Sequence, residues 1–246
     1  MNSENNTTFA KYKDFGAYHW AVFDRDPRKH DLFTCTRYHR ILDSARIESG
    51  MVVLDLGCGD GALAYLAWLK NRSGELIGIE PEAAGRKLAE GMFQNKNAKA
   101  YFLESSSSVP DESQDVILCA DVIEHERNFR NLLSEIRRLL KPGGRAVIST
   151  PVRLTEFPMD KEHVREFFPE ELREEISNYL EVINHEFCSS VFVVDLYTWR
   201  PRIFCGRPIF GWIISFLSLC YGINLMKRFN PGGLFWMTQI VTAVKK

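Results

Sequence analysis

The chain has 246 residues, 45% of them hydrophobic and 26% charged, which suits one well-cored globular domain and excludes a disordered, collagenous or mini-protein reading. Its formal charge of −1 calls for no nucleic-acid partner, yet the balance is uneven along the chain. From Leu196 to Lys246 there are seven Lys or Arg and no Asp or Glu, whereas residues 1–195 carry 24 basic and 32 acidic groups, a net −8.

Residues 1–10 are polar and expected to fray. Residues 11–46 hold Tyr18-His19-Trp20 and Arg37-Tyr38-His39-Arg40 among apolar positions near helical spacing, which predicts a helical cap ahead of the sheet. Met51–Leu56 is a β-branched apolar run ending in the cluster Gly57-Cys58-Gly59-Asp60-Gly61, and Ala62–Lys70 is helix-forming, so this stretch reads as strand, tight turn, helix. A second strand is expected over Glu75–Ile79, followed by a helix that Pro81 opens and that runs to about Asn95. Ala100–Leu103 gives a third strand and Asp115–Ala120 a fourth. An amphipathic helix over Asn128–Leu140 is stopped by Lys141-Pro142-Gly143-Gly144, and Arg145–Thr150 is the fifth strand. Beyond it, Pro169 begins a helix to about Asn178, Val182–Val194 is rich in β-formers, and Leu234–Val244 is a last strand. The alternation predicts an α/β domain: a Rossmann-like, seven-stranded, mostly parallel sheet with helices on both faces, a helical cap over 11–46 and an apolar insertion over 196–232. All 246 residues are assigned to that one domain, with 50–195 and 234–244 forming its core.

The six cysteines show no CxxC pair and no zinc-type spacing, and no secretory signal opens the chain, so reduced thiols in a cytoplasmic protein are expected. The glycine cluster between a strand and a helix lets backbone N–H groups and a helix N-terminus approach a ligand. Gly57, Gly59 and Ala62 also satisfy the dinucleotide fingerprint, and Glu80 lies where that fold places its ribose-binding acid, so two cofactor classes pass the spacing test.

Asp55 and the downstream motifs separate them. Val53-Leu-Asp-Leu-Gly-Cys-Gly-Asp-Gly61, Glu80 after the second strand, Asp115–Ala120 and Leu140-Lys-Pro-Gly-Gly-Arg-Ala-Val147 together resemble the class I S-adenosylmethionine-dependent methyltransferases, in particular their type 11-like group. The resemblance covers about residues 50–150. It implies that Asp55 and the backbone of Gly57, Cys58, Gly59 and Gly61 hold the methionine part of S-adenosylmethionine, with S-adenosylhomocysteine as product. It further implies that Glu80 takes the ribose hydroxyls, that Glu104 or Ser105 meets the adenine amine, and that Ala120 and Asp121 line the other side. Glu104-Ser-Ser-Ser-Ser108 departs from the Gly-Asp usual there, which leaves a solvated loop carboxylate as the alternative for Glu104.

Methyl transfer from a sulfonium asks for alignment, plus a base when the acceptor must lose a proton. His125 and His163 are the candidate catalytic bases, because imidazole titrates near neutrality. Asp121, Glu124, His125 and His163 are also a candidate divalent-metal set, by resemblance to the Glu-x-x-Glu-His pattern of ubiquinone-pathway and small-RNA methyltransferases; Asp in place of the first Glu weakens that case, and no metal is assigned. A third reading is that Glu124 and His125 merely cap their loop. Tyr18, His19 and Trp20 are expected either to close the site or to pack on the core, and Arg37 and Arg40 are candidates for a carboxylate of cofactor or acceptor.

Ile209–Met226 is 18 residues without a charge, bracketed by Arg200, Arg202 and Arg207 and by Lys227 and Arg228. A spanning helix conflicts with return of the last strand to the sheet, which leaves peripheral membrane contact through 200–228, a buried hairpin or a dimer contact. The expected function is methyl transfer to a small-molecule or lipid-linked acceptor, oxygen preferred, by a monomer or dimer in the cytoplasm or at the membrane surface. The alternatives are an NAD-dependent oxidoreductase and a non-catalytic, membrane-associated cofactor-binding partner.

Overall fold

Seven strands hydrogen-bond side by side in the order Tyr101–Leu103, Glu75–Ile79, Val52–Leu56, Gln114–Ala120, Leu140–Pro151, Trp236–Val244 and Glu181–Ser190. The computed structural model describes residues 11–158, 160–199, 203–204, 207–228 and 236–246. The expectation for residues 1–10, and those placed on Arg200, Arg202, Cys205, 229–232 and Leu234, lie outside the described residues.

In chain order the elements are α1 (Lys11–Phe15), a 3-10 turn (Tyr18–Phe23), α2 (Leu32–Ala45), β1 (Val52–Leu56), α3 (Ala62–Lys70), β2 (Glu75–Ile79), α4 (Ala83–Asn95), β3 (Tyr101–Leu103) and β4 (Gln114–Ala120). They continue with α5 (Phe129–Leu139), β5 (Leu140–Pro151), α6 (Pro169–Ser177), β6 (Glu181–Ser190), α7 (Val191–Thr198), β7 (Ile203–Phe204), β8 (Arg207–Pro208), α8 (Ile209–Tyr221), α9 (Leu225–Arg228) and β9 (Trp236–Val244). Strands β1 to β5 run parallel, while β9 lies antiparallel to both β5 and β6.

The period-2 alternation of strand side chains divides the core between the two faces. Leu54, Ile77, Ile117, Ile148 and Val241 point to one face and pack under Leu133, Ile136 and Leu139 of α5 and Leu172 and Ile176 of α6. Their neighbours Val53, Leu76, Val116, Val147 and Ile240 point to the other, against Ile41 and Leu42 of α2 and Ala64 and Ala67 of α3. Each strand of the sheet centre is therefore apolar on both faces, which is why it reads as a continuous apolar run. The buried positions of α5, Phe129, Leu133, Ile136 and Leu139, repeat at helical spacing, as its amphipathic pattern requires.

Three details differ from the sequence expectation. The Lys-Pro-Gly-Gly stretch ends α5 but lies within β5, as a bulge across which the β4 register jumps from Gln114↔Leu140 to Val116↔Arg145. The β-rich run to Val194 is a strand only to Ser190, one residue past Ser189 with its φ of +61°, and Val191–Thr198 is helical because Val193 and Tyr197, four apart, bury together against Leu32 and Ile214. The 18-residue apolar stretch is not one helix: α8 ends at Tyr221, where Gly222 takes a left-handed conformation and caps it, and α9 begins at Leu225.

Candidate functional site

Strand order reverses between β1 and β4, and a crevice opens there at the carboxyl ends of the strands. A cavity of about 740 Å³ occupies it. Its wall brings together Asp55, Gly57, Cys58, Gly59, Ala120, Asp121, His125 and His163 of the sequence-predicted residues.

The glycine turn is spliced onto β2, because the N–H groups of Gly57 and Cys58 both donate to the Ile79 carbonyl, at 2.8 and 2.9 Å. Gly57 (φ +79°) and Gly59 (φ +55°) hold left-handed conformations that glycine takes at least cost. A Cβ at Gly57 would stand 2.4 Å from Val122 Cγ2, and one at Gly59 would stand 2.0 Å from the Tyr12 hydroxyl. Bare backbone is thus required where the turn meets the cap and the β4 loop. Gly61, at the start of α3, packs toward Ala89 and Phe93 of α4 instead of into the cavity.

Asp55 ends β1 almost fully buried, and its Oδ2 has no hydrogen-bond partner. Burial, with the Glu80 carboxylate adding to it, raises its pKa to about 7. A buried carboxylate with one unmatched oxygen is costly unless a donor or cation meets it. Glu80 follows β2 and accepts the N–H groups of Gly59 (2.9 Å) and Glu82 (2.8 Å), while burial pushes its pKa upward. Glu80 does not line the cavity wall, whereas Tyr12 of α1, packed over Gly59 and Gly85 beside it, does. Glu104 and Ser105 also lie outside the cavity wall: Glu104 is exposed and pairs with Arg86 at 3.4 Å, and Ser105 bonds Ser107.

The cap is fastened to the glycine turn through Asp60. Its carbonyl accepts the Trp20 indole N–H at 2.8 Å, its Oδ2 accepts the His19 backbone N–H at 2.9 Å, and its Oδ1 faces the Ala62 N–H at 3.3 Å. Asp60 was assigned no role from the sequence. Its position directly before Gly61 and the start of α3 is the helix-start signal that marks it.

Past β4, Asp121 adopts φ +55° and bonds Ser149 through its N–H at 3.0 Å and its Oδ1 at 3.2 Å. Its Oδ2 meets Arg37 Nη2 of α2 at 2.6 Å, and the guanidinium lies between the rings of Phe33 and Tyr38. Arg40 pairs with Glu186 at 3.7 Å and does not line the cavity.

The remaining wall is a histidine pair. The carbonyl of Glu124 accepts the N–H groups of Val164 (2.9 Å) and Arg165 (3.1 Å), which draws the loop carrying His163 over the β4 end. The His125 and His163 rings then stand 5.0 Å apart, edge to face. His125 Nδ1 faces the Glu162 carbonyl at 3.0 Å and His163 Nδ1 faces Glu166 Oε1 at 2.7 Å, both acceptors. Facing an acceptor, each Nδ1 carries the ring hydrogen. Burial, with His163 adding to it, lowers the His125 pKa. Glu124 is fully buried, bonded to Thr150 Oγ1 at 3.0 Å through Oε2, with Oε1 unmatched; burial and then the Asp121 charge raise its pKa well above the usual range. One ligand atom from each of Glu124, His125 and His163 falls within 4.8 Å of the others, close enough to hold a divalent cation; Asp121 is outside this group and engaged with Arg37.

A family model described as a methyltransferase domain matches residues 47–200. A ubiquinone biosynthesis O-methyltransferase of Aeromonas salmonicida (strain A449) is 30% identical over 162 residues, 61% of this chain and 65% of that protein. The chain spans between about half and two thirds of the length of the first curated relatives it matches. In fold it is similar to phosphoethanolamine N-methyltransferase 2 of Haemonchus contortus in complex with S-adenosyl-L-methionine (TM-score 0.64, 19% identity, covering 96% of this chain and 58% of that one). It is likewise similar to the structure of a Haloferax volcanii Trm112 activator in complex with a putative methyltransferase (TM-score 0.65, 16% identity, 97% of each chain).

Proposed function

The chain belongs to the class I S-adenosylmethionine-dependent methyltransferases, in their type 11-like group, and from that premise we propose that it transfers a methyl group from S-adenosylmethionine to an oxygen of a small-molecule or lipid-linked acceptor. The observation that carries the reading is Asp55: a buried carboxylate oxygen with no partner, in the cavity wall beside a turn of bare backbone. That arrangement suits the ammonium of the cofactor's methionine part. The sheet also argues against the dinucleotide alternative. A dinucleotide-binding sheet runs 3-2-1-4-5-6, whereas here the antiparallel β9 inserts between β5 and β6.

S-adenosylmethionine, when bound, supplies an electrophilic methyl group on a sulfonium. The chain's own residues bind and orient it. Asp55 and the Gly57–Gly59 backbone take the methionine part, Glu80 the ribose hydroxyls, and Ala120 and Asp121 the opposite side. The adenine role of Glu104 and Ser105 rests only on their place after β3, since their residue types depart from the family motif and both side chains are engaged outside the cavity wall. His125 and His163 both line the cavity, and in its neutral form an imidazole can accept the proton of an acceptor hydroxyl as its oxygen gains the methyl group. The oxygen preference rests on this pair and on the likeness to the Aeromonas ubiquinone biosynthesis O-methyltransferase. The same pair with Glu124 supports a second reading, in which a divalent cation orients the acceptor oxygen.

Calorimetric titration with S-adenosylmethionine, S-adenosylhomocysteine and NAD⁺, with and without Mg²⁺, tests the assignment. Micromolar binding of the two sulfur compounds and none of NAD⁺ is expected, lost in Asp55→Ala and Glu80→Ala. Wild-type affinity in both variants would sink the site. Binding without turnover over a broad panel of hydroxylated acceptors would favour a non-catalytic partner protein.

A further inference from the structure

Five carboxylates are buried among the described residues, those of Asp55, Asp60, Glu80, Glu124 and Glu166. Asp55 suits the cofactor's ammonium, Asp60 holds the cap, Glu80 accepts the Gly59 N–H and Glu124 is bonded to Thr150. Glu166 has no such place. It lies in the loop between β5 and α6, only 2% exposed, although Asp160, Lys161 and Glu162 of the same loop are exposed. A loop glutamate is ordinarily a surface residue, and burial of a carboxylate is costly unless a donor or cation meets it. Glu166 lines the cavity, and its Oε1 stands 2.7 Å from Nδ1 of His163.

The backbone fixes this contact from both sides. Ahead of Glu166, the N–H groups of Val164 and Arg165 donate to the Glu124 carbonyl at 2.9 and 3.1 Å. Behind it, Phe167 is fully buried, and its carbonyl accepts the Arg153 N–H at 3.0 Å and the Gln239 side-chain N–H at 2.8 Å. Glu166 is thus set between two anchored neighbours, and its carboxylate has little freedom to leave the ring. The two histidines of the wall are therefore not equivalent. Nδ1 of His125 faces the neutral backbone carbonyl of Glu162, whereas Nδ1 of His163 faces a carboxyl group. A buried carboxylate on one nitrogen fixes the tautomer and angle of an imidazole and stabilises the imidazolium that forms when the other nitrogen takes a proton.

We propose that Glu166 is the positioning residue of the site and acts through His163: it holds the imidazole in place and offsets the charge the ring gains on taking a proton, which makes His163, and not His125, the base. The acceptor O–H bond breaks toward His163 as the oxygen bonds the methyl carbon, and the carbon–sulfur electron pair stays on sulfur. The carboxylate beside the new imidazolium balances a charge that a backbone carbonyl leaves unbalanced. The inference rests on the methyl-transfer reading and names which residues of that site carry the proton.

Nitrogen-15 NMR of the histidine-labelled full chain at about pH 8, above the imidazole range, reads the ring without any acceptor, with His163 assigned by the loss of its signals in His163→Asn. The hydrogen is expected on Nδ1 in the wild type and in Glu166→Gln, which keeps an acceptor oxygen, and at least in part on Nε2 in Glu166→Leu. Affinity for S-adenosylhomocysteine should be equal in all three. With S-adenosylmethionine and a panel of hydroxylated acceptors, kcat should fall about 10–100-fold in Glu166→Leu with the cofactor KM unchanged, and less in Glu166→Gln. His125→Asn should retain turnover. The proposal is overturned by a hydrogen on Nε2 in the wild type, by an unchanged tautomer or unchanged kcat in Glu166→Leu, or by turnover that His125→Asn loses and His163→Asn keeps. The wild-type tautomer and His125→Asn decide the matter even where Glu166→Leu does not fold. Absence of S-adenosylhomocysteine binding in every form is instead the failure of the methyl-transfer reading itself.

Discussion

The indole N–H of Trp20 donates to the carbonyl of Asp60 at 2.8 Å, across forty residues of sequence, and so ties the helical cap to the glycine turn. Asp60 is fully buried, and its carboxylate also accepts the backbone N–H of His19. This one residue, directly ahead of the Gly61 that begins α3, therefore holds the cap over the crevice. Asp60→Ala is expected to lose about 1–2 kcal/mol, since it leaves the His19 N–H without its acceptor. Chemical denaturation checks the stability. Stopped-flow release of S-adenosylhomocysteine should also be faster in Trp20→Phe, and an unchanged release rate would show that the cap does not gate the site.

The Asp55 pKa of about 7 makes ligand binding proton-linked. Below that pH the free protein holds the carboxyl protonated, yet an ammonium ligand requires the carboxylate. Binding should then release a proton, and affinity for S-adenosylhomocysteine should rise by up to about tenfold per pH unit below 7 and level off above it. Calorimetry at pH 6 in buffers of different ionisation enthalpy reads the proton directly. Equal heats in all buffers would contradict the assigned contact.

Arg37 and Asp121 form a largely buried pair, with side chains 10% and 25% exposed. Removing one partner strands the other. Asp121→Asn should destabilise the protein by up to about 3–5 kcal/mol, at the lower end because Asp121 keeps some access to water. A double-mutant cycle with Arg37→Met should recover part of the loss, and strict additivity would show that the pair contributes no coupling.

For the histidine pair, His125→Asn and His163→Asn should differ from the wild type in turnover but not in cofactor affinity. General-base catalysis is worth about 10²–10⁴-fold, so kcat of the variant lacking the base should fall by that factor. Equal S-adenosylhomocysteine affinity confirms an intact fold. If dialysis against a chelator abolishes activity and Mn²⁺ or Zn²⁺ restores it, the pair serves as ligands with Glu124 and not as a base.

The order of the sheet strands, the glycine turn after β1, Asp55 within β1 and Glu80 after β2 were legible in the sequence. Each is a local property: apolar runs, Gly and Pro punctuation, and a spacing that one βαβ unit enforces. The helix over Val191–Thr198 escaped because its β-branched residues favour a strand locally, and burial of Val193 and Tyr197 against a distant helix overrides that preference. The partnership of Asp121 with Arg37, the anchoring of the cap on Asp60 and the meeting of His125 with His163 were decided only in three dimensions. Each joins segments from about forty to eighty-five residues apart. Such contacts depend on which loops the reversal of strand order gathers at one end of the sheet, and on backbone bonds such as Val164 N–H to the Glu124 carbonyl that hold a loop there. Local spacing carries no record of either.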